Sequence, residues 1–220
     1  MSLYELFEDD HQKYLKGVQP ALAARKQFIT EYPIDRIKSL TLDEYLFAKK
    51  GFGNERSYCR RVRYDFEWIS SFGNVWPDIF GIYLRNGEKI ALSKTFAQKY
   101  GDDYQTAFIN IKEEMVRLLS AIKDNHFEAL ENCILNSAFK YKLVVLYYLE
   151  KVIPVTTIGL LNEYCNHIGL PYNPKEEPIY RNLALKSWAN NNPITKDWTT
   201  CEIMSFADWL WRKNLYLSNE

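Results

Sequence analysis

The apolar residues of this chain recur mostly at spacings of three and four, the signature of helices that bury one face. Leu3 to Tyr14 and Ala21 to Ile29 carry that spacing, interrupted near Gly17 and Pro20, which predicts one or two opening helices. Pro33 then precedes a short stripe of Ile34, Ile37 and Leu40. Thr41 with Glu44 makes a capping-box pattern ahead of a second short helix through Leu46. Gly51-Phe52-Gly53-Asn54 breaks the pattern, and Tyr58, Val62, Phe66 and Ile69 restore it, predicting a helix within Arg56 to Ile69.

Ile79 to Leu84 and Lys89 to Leu92 flank Asn86-Gly87, a pair that accepts the positive φ angles of a type I′ turn. A hairpin over about 79–92 follows, and a third strand at Phe72 to Trp76 would support it, because an isolated hairpin is marginal in water. Beyond Gly101 the pattern is helical again. Tyr104, Phe108, Ile111, Met115, Leu118, Leu119 and Ile122 mark one long helix from Asp103 to Asp124. Phe127 to Ile134, Phe139 to Leu149, Thr157 to Ile168 and Glu177 to Trp188 continue as helices, and Thr200 to Trp211 forms an aromatic-rich last one. The expected fold is α+β, mainly helical, with one small antiparallel β-sheet and no βαβ alternation. One compact domain is expected over 1–220, with 1–31 a helical N-terminal extension and 175–220 a C-terminal helical part packed on it.

Length and composition support that picture. A chain of 220 residues with 47% hydrophobic and 25% charged positions has the material for a real core and excludes disordered, collagenous and coiled-coil classes. Its 28 basic and 28 acidic residues sum to zero, which argues against diffuse attraction to a polyanion. Cys59, Cys133, Cys165 and Cys201 are too scattered for a metal knuckle or redox pair, and read as buried thiols in a reducing compartment. Glu5, Glu8, Asp9 and Asp10 occupy the place of a basic signal-peptide start, and no apolar run reaches the length of a membrane span. A soluble, cytoplasmic protein without a membrane partner is expected. Nothing in the sequence fixes its oligomeric state.

Phosphate-loop, dinucleotide-binding, nucleophile-elbow and zinc-protease motifs are all missing from the sequence. His11, His126 and His167 lie far apart and suggest surface or capping roles. No catalytic residue, metal ligand or cofactor is therefore assigned. Asp78 at a strand start, with Glu88 and Lys89 across the hairpin, resembles the acid pair and lysine of a metal-dependent nuclease. Adjacent strand residues point to opposite faces, however, so Glu88 and Lys89 do not readily converge.

Charge is more informative when read by position. Lys49, Lys50, Arg56, Arg60, Arg61 and Arg63 fall within fifteen residues that hold one acid, Glu55: six minus one gives a local charge of plus five. Phe52, Tyr58, Tyr64 and Trp68 interleave with them, and arginines among aromatics suit phosphates and stacked bases. The alternative is a solvated helix face paired locally with Asp43, Glu44, Asp65 and Glu67. Trp76, Trp188 and Trp198 escape the helical periodicity and are candidates for an exposed aromatic contact.

In order and spacing, several stretches resemble the modules at the front of McrB-type restriction and defence proteins of bacteria. They are Leu40-Thr41-Leu42-Asp43-Glu44-Tyr45, Ser57-Tyr58-Cys59, Phe80-Gly81-Ile82-Tyr83, Ala107-Phe108 with Ile111-Lys112 and Leu118-Leu119, Phe139-Lys140 with Lys142-Leu143, and Ile153-Pro154 leading to Leu161 and Gly169. The likeness covers about residues 32–170. It implies a non-catalytic DNA-binding or targeting module that works with a separate motor or nuclease subunit. This chain departs from the pattern in reaching Phe80 through Val75-Trp76-Pro77-Asp78 and in carrying no motor. The nucleic-acid-binding candidates are thus Lys49, Lys50, Arg56, Arg60, Arg61, Arg63, Tyr58 and Trp76. A protein-interaction subunit with an acidic partner and a small metal-dependent nuclease are the alternatives.

Overall fold

The computed structural model describes residues 3–47, 54–70, 77–85 and 89–217. The described chain is mainly helical, with one two-stranded antiparallel sheet. Its opening is a single helix, α1 (Leu3–Glu31), which runs through both Gly17 and Pro20. Helices α2 (Ile34–Ser39) and α3 (Leu42–Tyr45) follow, and the capping box of α3 forms as its sequence predicts: Glu44 N–H donates to Thr41 Oγ1, and Thr41 N–H to the Glu44 carboxylate. Helix α4 spans only Tyr58–Tyr64, and the chain continues to Ile69 as turns.

Ile79 and Phe80 belong to a 3-10 turn, Pro77–Phe80, so the sheet is shorter than its apolar run: β1 is Ile82–Arg85 and β2 is Lys89–Leu92, paired Ile82 to Leu92 and Arg85 to Lys89. Phe47 bridges to Tyr83 in parallel, and Leu84 N–H donates to its carbonyl. The proposed third strand and the Asn86-Gly87 turn lie outside the described residues. Gly81, between the 3-10 turn and β1, has φ +81°, a conformation that β-carbon sterics disfavour in other residues.

Helix α5 (Lys94–Tyr100), unforeseen in the sequence, leads to the long α6 (Tyr104–Lys123), whose first turn is capped by Asp103. The helix expected over Phe127 to Ile134 is only a 3-10 turn, Phe127–Leu130. Helices α7 (Ser137–Tyr147), α8 (Ile158–Ile168), α9 (Pro178–Asn191) and α10 (Thr200–Lys213) complete the fold.

Two apolar clusters organise the interior. The larger gathers Phe28, Tyr45, Tyr58, Phe80, Met115 and Phe139 from α1 to α7; the smaller packs α8, α9 and α10 around Phe206. Helix α1 belongs to both. Its Phe7 lies 5.1 Å from the ring centre of Phe206 and 5.6 Å from that of Trp209, while Val18, Ala21 and Phe28 lie in the larger cluster. Polar pairs join it to α10: Trp209 Nε1 donates to Asp10, and His11 Nε2 is 3.0 Å from Glu202 Oε1.

Helix α7 is buried on all sides, Lys140 and Lys142 included. Lys140 donates to the Leu130 carbonyl and to Glu177, and Lys142 to the carbonyls of Phe66 and Ser70. Lys142 thus fastens the turns after α4 to the centre of the molecule. Burial, aided by the charge of Arg63, pushes its ammonium pKa down to about 7.

Candidate nucleic-acid interface

The basic segment folds into two layers because its residues fall on opposite sides of α4. Tyr58 and Val62 are one helical turn apart, with Phe66 beyond them, and this apolar stripe drives α4 into the larger cluster. Tyr58 is completely buried, its hydroxyl 3.4 Å from that of Tyr147 and its ring 5.2 Å from that of Phe28. As a nucleic-acid contact Tyr58 is therefore a correction: it is a core residue.

Arg61 shares that inner side, three positions after Tyr58. Its side chain is only 8% exposed, with Nη1 2.5 Å from Glu31 and Nε 3.0 Å from Asp65. The guanidinium also lies over the rings of Phe28 and Tyr32. Burial works against its charge, but the bonds from Asp65 and Glu31 prevail and hold its pKa above the ordinary arginine value. Arg61 ties α4 to α1, and so it too leaves the candidate surface. Of the acids expected to pair with this segment, Asp65 binds Arg61 and Glu67 binds Arg63 at 3.3 Å, whereas Glu44 caps α3 and binds Arg36 at 2.8 Å instead.

What remains on the outer side is a smaller constellation, in which Arg63 is itself largely buried, its side chain 12% exposed. Tyr64 is 47% exposed and carries two guanidinium groups against its ring, Arg60 at 5.0 Å and Arg63 at 5.1 Å from the centroid. Phe47 supports the ring at 6.0 Å, so the cluster is seated beside β1. Arg56 is exposed in the turn before α4, where its N–H donates to Asn54 Oδ1. Lys49, Lys50 and Trp76 lie outside the described residues. Tyr64, not Tyr58, is the outward aromatic of α4. Six positions separate the two, which puts them on different sides of a helix with a period of 3.6.

Trp68 extends the aromatic content just beyond α4. It is 61% exposed, and its ring lies so close to α1 that a β-carbon at Gly17 would come within 2.7 Å of it. Trp68 lines a cleft of about 490 Å³ with Glu67, Ser70, Thr156, Asp208 and Arg212, where Arg212 binds Asp208 at 2.6 Å. Trp188 and Trp198 are partly buried against the smaller cluster.

The residues considered for metal chemistry do not assemble. Asp78 lies exposed on the 3-10 turn, Lys89 faces Arg85 across the sheet, and Glu88 lies outside the described residues. Among the described residues no group of three or more His, Cys, Asp or Glu side chains could hold a metal ion. The four thiols are free and buried, and burial pushes Cys133 up to about 12 and Cys165 and Cys201 to about 11, away from nucleophilic use at neutral pH. No described helix is long and apolar enough to cross a membrane.

Comparison with known proteins found no matching family model, no matching curated protein and no matching solved structure. The likeness to McrB-type modules therefore transfers no functional residue, and the outward face of α4 has to be judged on its own geometry.

Proposed function

We propose that this chain is a non-catalytic DNA-binding module, of the targeting kind used in restriction and defence systems, which contacts DNA through Arg56, Arg60 and Tyr64, with Arg63 seated against the Tyr64 ring. The observation that carries the reading is the exposed Tyr64 ring with the guanidinium groups of Arg60 and Arg63 against it. Such a cluster offers donors for phosphate oxygens beside an aromatic face for a base or sugar. Its cations position a duplex without reading its sequence. A separate motor or nuclease subunit would supply any hydrolysis or cleavage.

Pairing limits the strength of the face. Arg61 is neutralised by Glu31 and Asp65, and Arg63 is offset by Glu67, so few phosphates are engaged and binding is modest and salt-sensitive. Fluorescence anisotropy with labelled duplexes of several sequences, across a salt series, tests this directly. Arg60→Glu should weaken binding for every sequence and lower the slope of log K against log salt by about 0.9 per lost contact. Tyr64→Ala should weaken binding with the slope unchanged. Affinity at low salt that ignores both substitutions would remove the assignment. Salt-sensitive capture of an acidic protein that depends on Arg60, with no affinity for DNA, would favour the protein-interaction alternative.

A further inference from the structure

The cleft beside Trp68 lies where the two apolar clusters meet, between the turns after α4 and the helices α8 and α10. We infer that it binds a small aromatic monocarboxylate, with the ring stacked on Trp68 and the carboxylate paired with Arg212. Its volume of about 490 Å³ falls within the roughly 300–1,000 Å³ of small-molecule sites.

The apolar part of the cleft suits a flat body. Trp68 is 61% exposed, yet its ring is seated: the six-membered ring lies so close to α1 that only the missing side chain of Gly17 leaves it room. Pro154 and Val155 are buried in the same cleft, and Leu160 and Met204 line it while packing against the smaller cluster. An open indole beside such walls gains contact area when a planar group stacks on it.

The polar end points to a single negative charge. Tyr164 Oη donates to Asp208 Oδ1 at 2.9 Å, and Arg212 Nε donates to Asp208 Oδ2 at 2.6 Å. The guanidinium is thus held by its Nε, and the N–H donors of both its Nη atoms meet no acceptor among the described residues. Two such N–H groups match the two oxygens of a carboxylate. Glu67, the other carboxylate of the cleft, is bound by Arg63 at 3.3 Å, so each acid here already has its cation. One guanidinium shared with Asp208 is a poor match for a phosphate near two negative charges, whereas a carboxylate brings one.

Calorimetric titration of the full chain with indole-3-acetate, the neutral indole-3-ethanol and the non-planar cyclohexylacetate separates the two halves of the site. Indole-3-acetate should bind at one saturable site. The other two should bind about 10-fold more weakly or worse, since one lacks the charge-assisted bonds and the other the flat ring. Arg212→Gln, at an exposed position, should lower the acid to the affinity of the alcohol and leave the alcohol unchanged. Trp68→Ala should weaken both indoles by roughly 10-fold. Gly17→Ala moves Trp68 without removing it: the added β-carbon comes within 2.7 Å of the ring, while alanine favours α1, so binding should fall with no loss of melting temperature. Arg60→Glu, which disables the proposed DNA face, should leave these titrations unchanged, so the two proposals fail separately. Absence of saturable binding, equal affinity for acid and alcohol, or affinities unaltered by Trp68→Ala would overturn the site. Displacement of indole-3-acetate by duplex DNA would overturn its assignment to a small acid.

Discussion

Replacing Lys142 with methionine should remove a defined part of the pH dependence of folding. The ammonium is fully buried and its pKa falls from the ordinary 10.5 to about 7, chiefly through burial and secondly through Arg63, with Glu67 acting in the opposite sense. Because the folded value lies below the unfolded one, the unfolded chain binds more protons between these two pH values. Stability from this group therefore rises with pH: its penalty is full below about pH 7 and is progressively relieved above it. Linkage with these two values gives a wild-type gain of about 2 kcal/mol between pH 7 and pH 9. The neutral amine still has N–H donors, so the bonds to Phe66 and Ser70 survive deprotonation. Methionine has similar length and no charge; it removes the Lys142 donor from the Ser70 carbonyl, at about 1–3 kcal/mol, while the Phe66 carbonyl keeps the amides of Ile69 and Ser70, and the buried charge is relieved. The lost hydrogen bond costs the same at every pH, whereas the relief of the buried charge is full below about pH 7 and fades above it, so only the second changes the difference between the two proteins. Urea unfolding of both proteins at pH 7 and pH 9 isolates the titration, since every other alkaline group cancels in the difference. The wild-type advantage should grow by about 2 kcal/mol over that interval. Parallel profiles for the two proteins would refute the reasoning.

Two further substitutions probe the framework around the proposed DNA face. Arg61→Met should cost about 2–3 kcal/mol, somewhat less than the roughly 3–5 kcal/mol for breaking a fully buried ion pair, because Glu31 and Asp65 are each about one-third exposed and regain water. A urea midpoint unchanged by that substitution would place Arg61 outside the structural core. Gly81→Ala adds a β-carbon 2.6 Å from Phe96 and 2.9 Å from Ile111 at a positive φ, so about 3 kcal/mol should be lost. Thermal melting at wild-type temperature would contradict the close packing at that turn.

Where helices are long and amphipathic, the sequence anticipated them well: Asp103 to Asp124 became α6 and Thr200 to Trp211 became α10 with small shifts at the ends. The capping box at Thr41 is legible because both partners lie within one turn. Short elements fared less well. Ile79 and Phe80 read as strand because apolar runs do not distinguish a strand from a 3-10 turn, and α5 carries too few apolar residues to announce itself. Pro20 suggested a break in α1, but packing of the helix across both clusters outweighs the lost backbone bond. At the candidate site, local charge counted six cations together without asking which would turn inward. The stripe of Tyr58, Val62 and Phe66 already held that answer for Tyr58 and, by its spacing, for Arg61. Glu31, which neutralises Arg61, lies thirty residues away and is visible only in three dimensions.

The sharing of α1 between two clusters also sets a timetable for synthesis. Phe7 is made at the beginning of the chain, yet its partners Trp198, Phe206 and Trp209 are made near the end. At about 5–20 residues per second, the apolar face of the first turns must wait on the order of 10–40 s for its cover. During that interval the C-terminal half of α1 can settle on the earlier-made α2 to α7 while its N-terminal half stays exposed. The nascent chain thus presents a greasy helical end to chaperones, and a ribosome that stalls before residue 198 releases a sticky fragment with half of its first helix unpartnered.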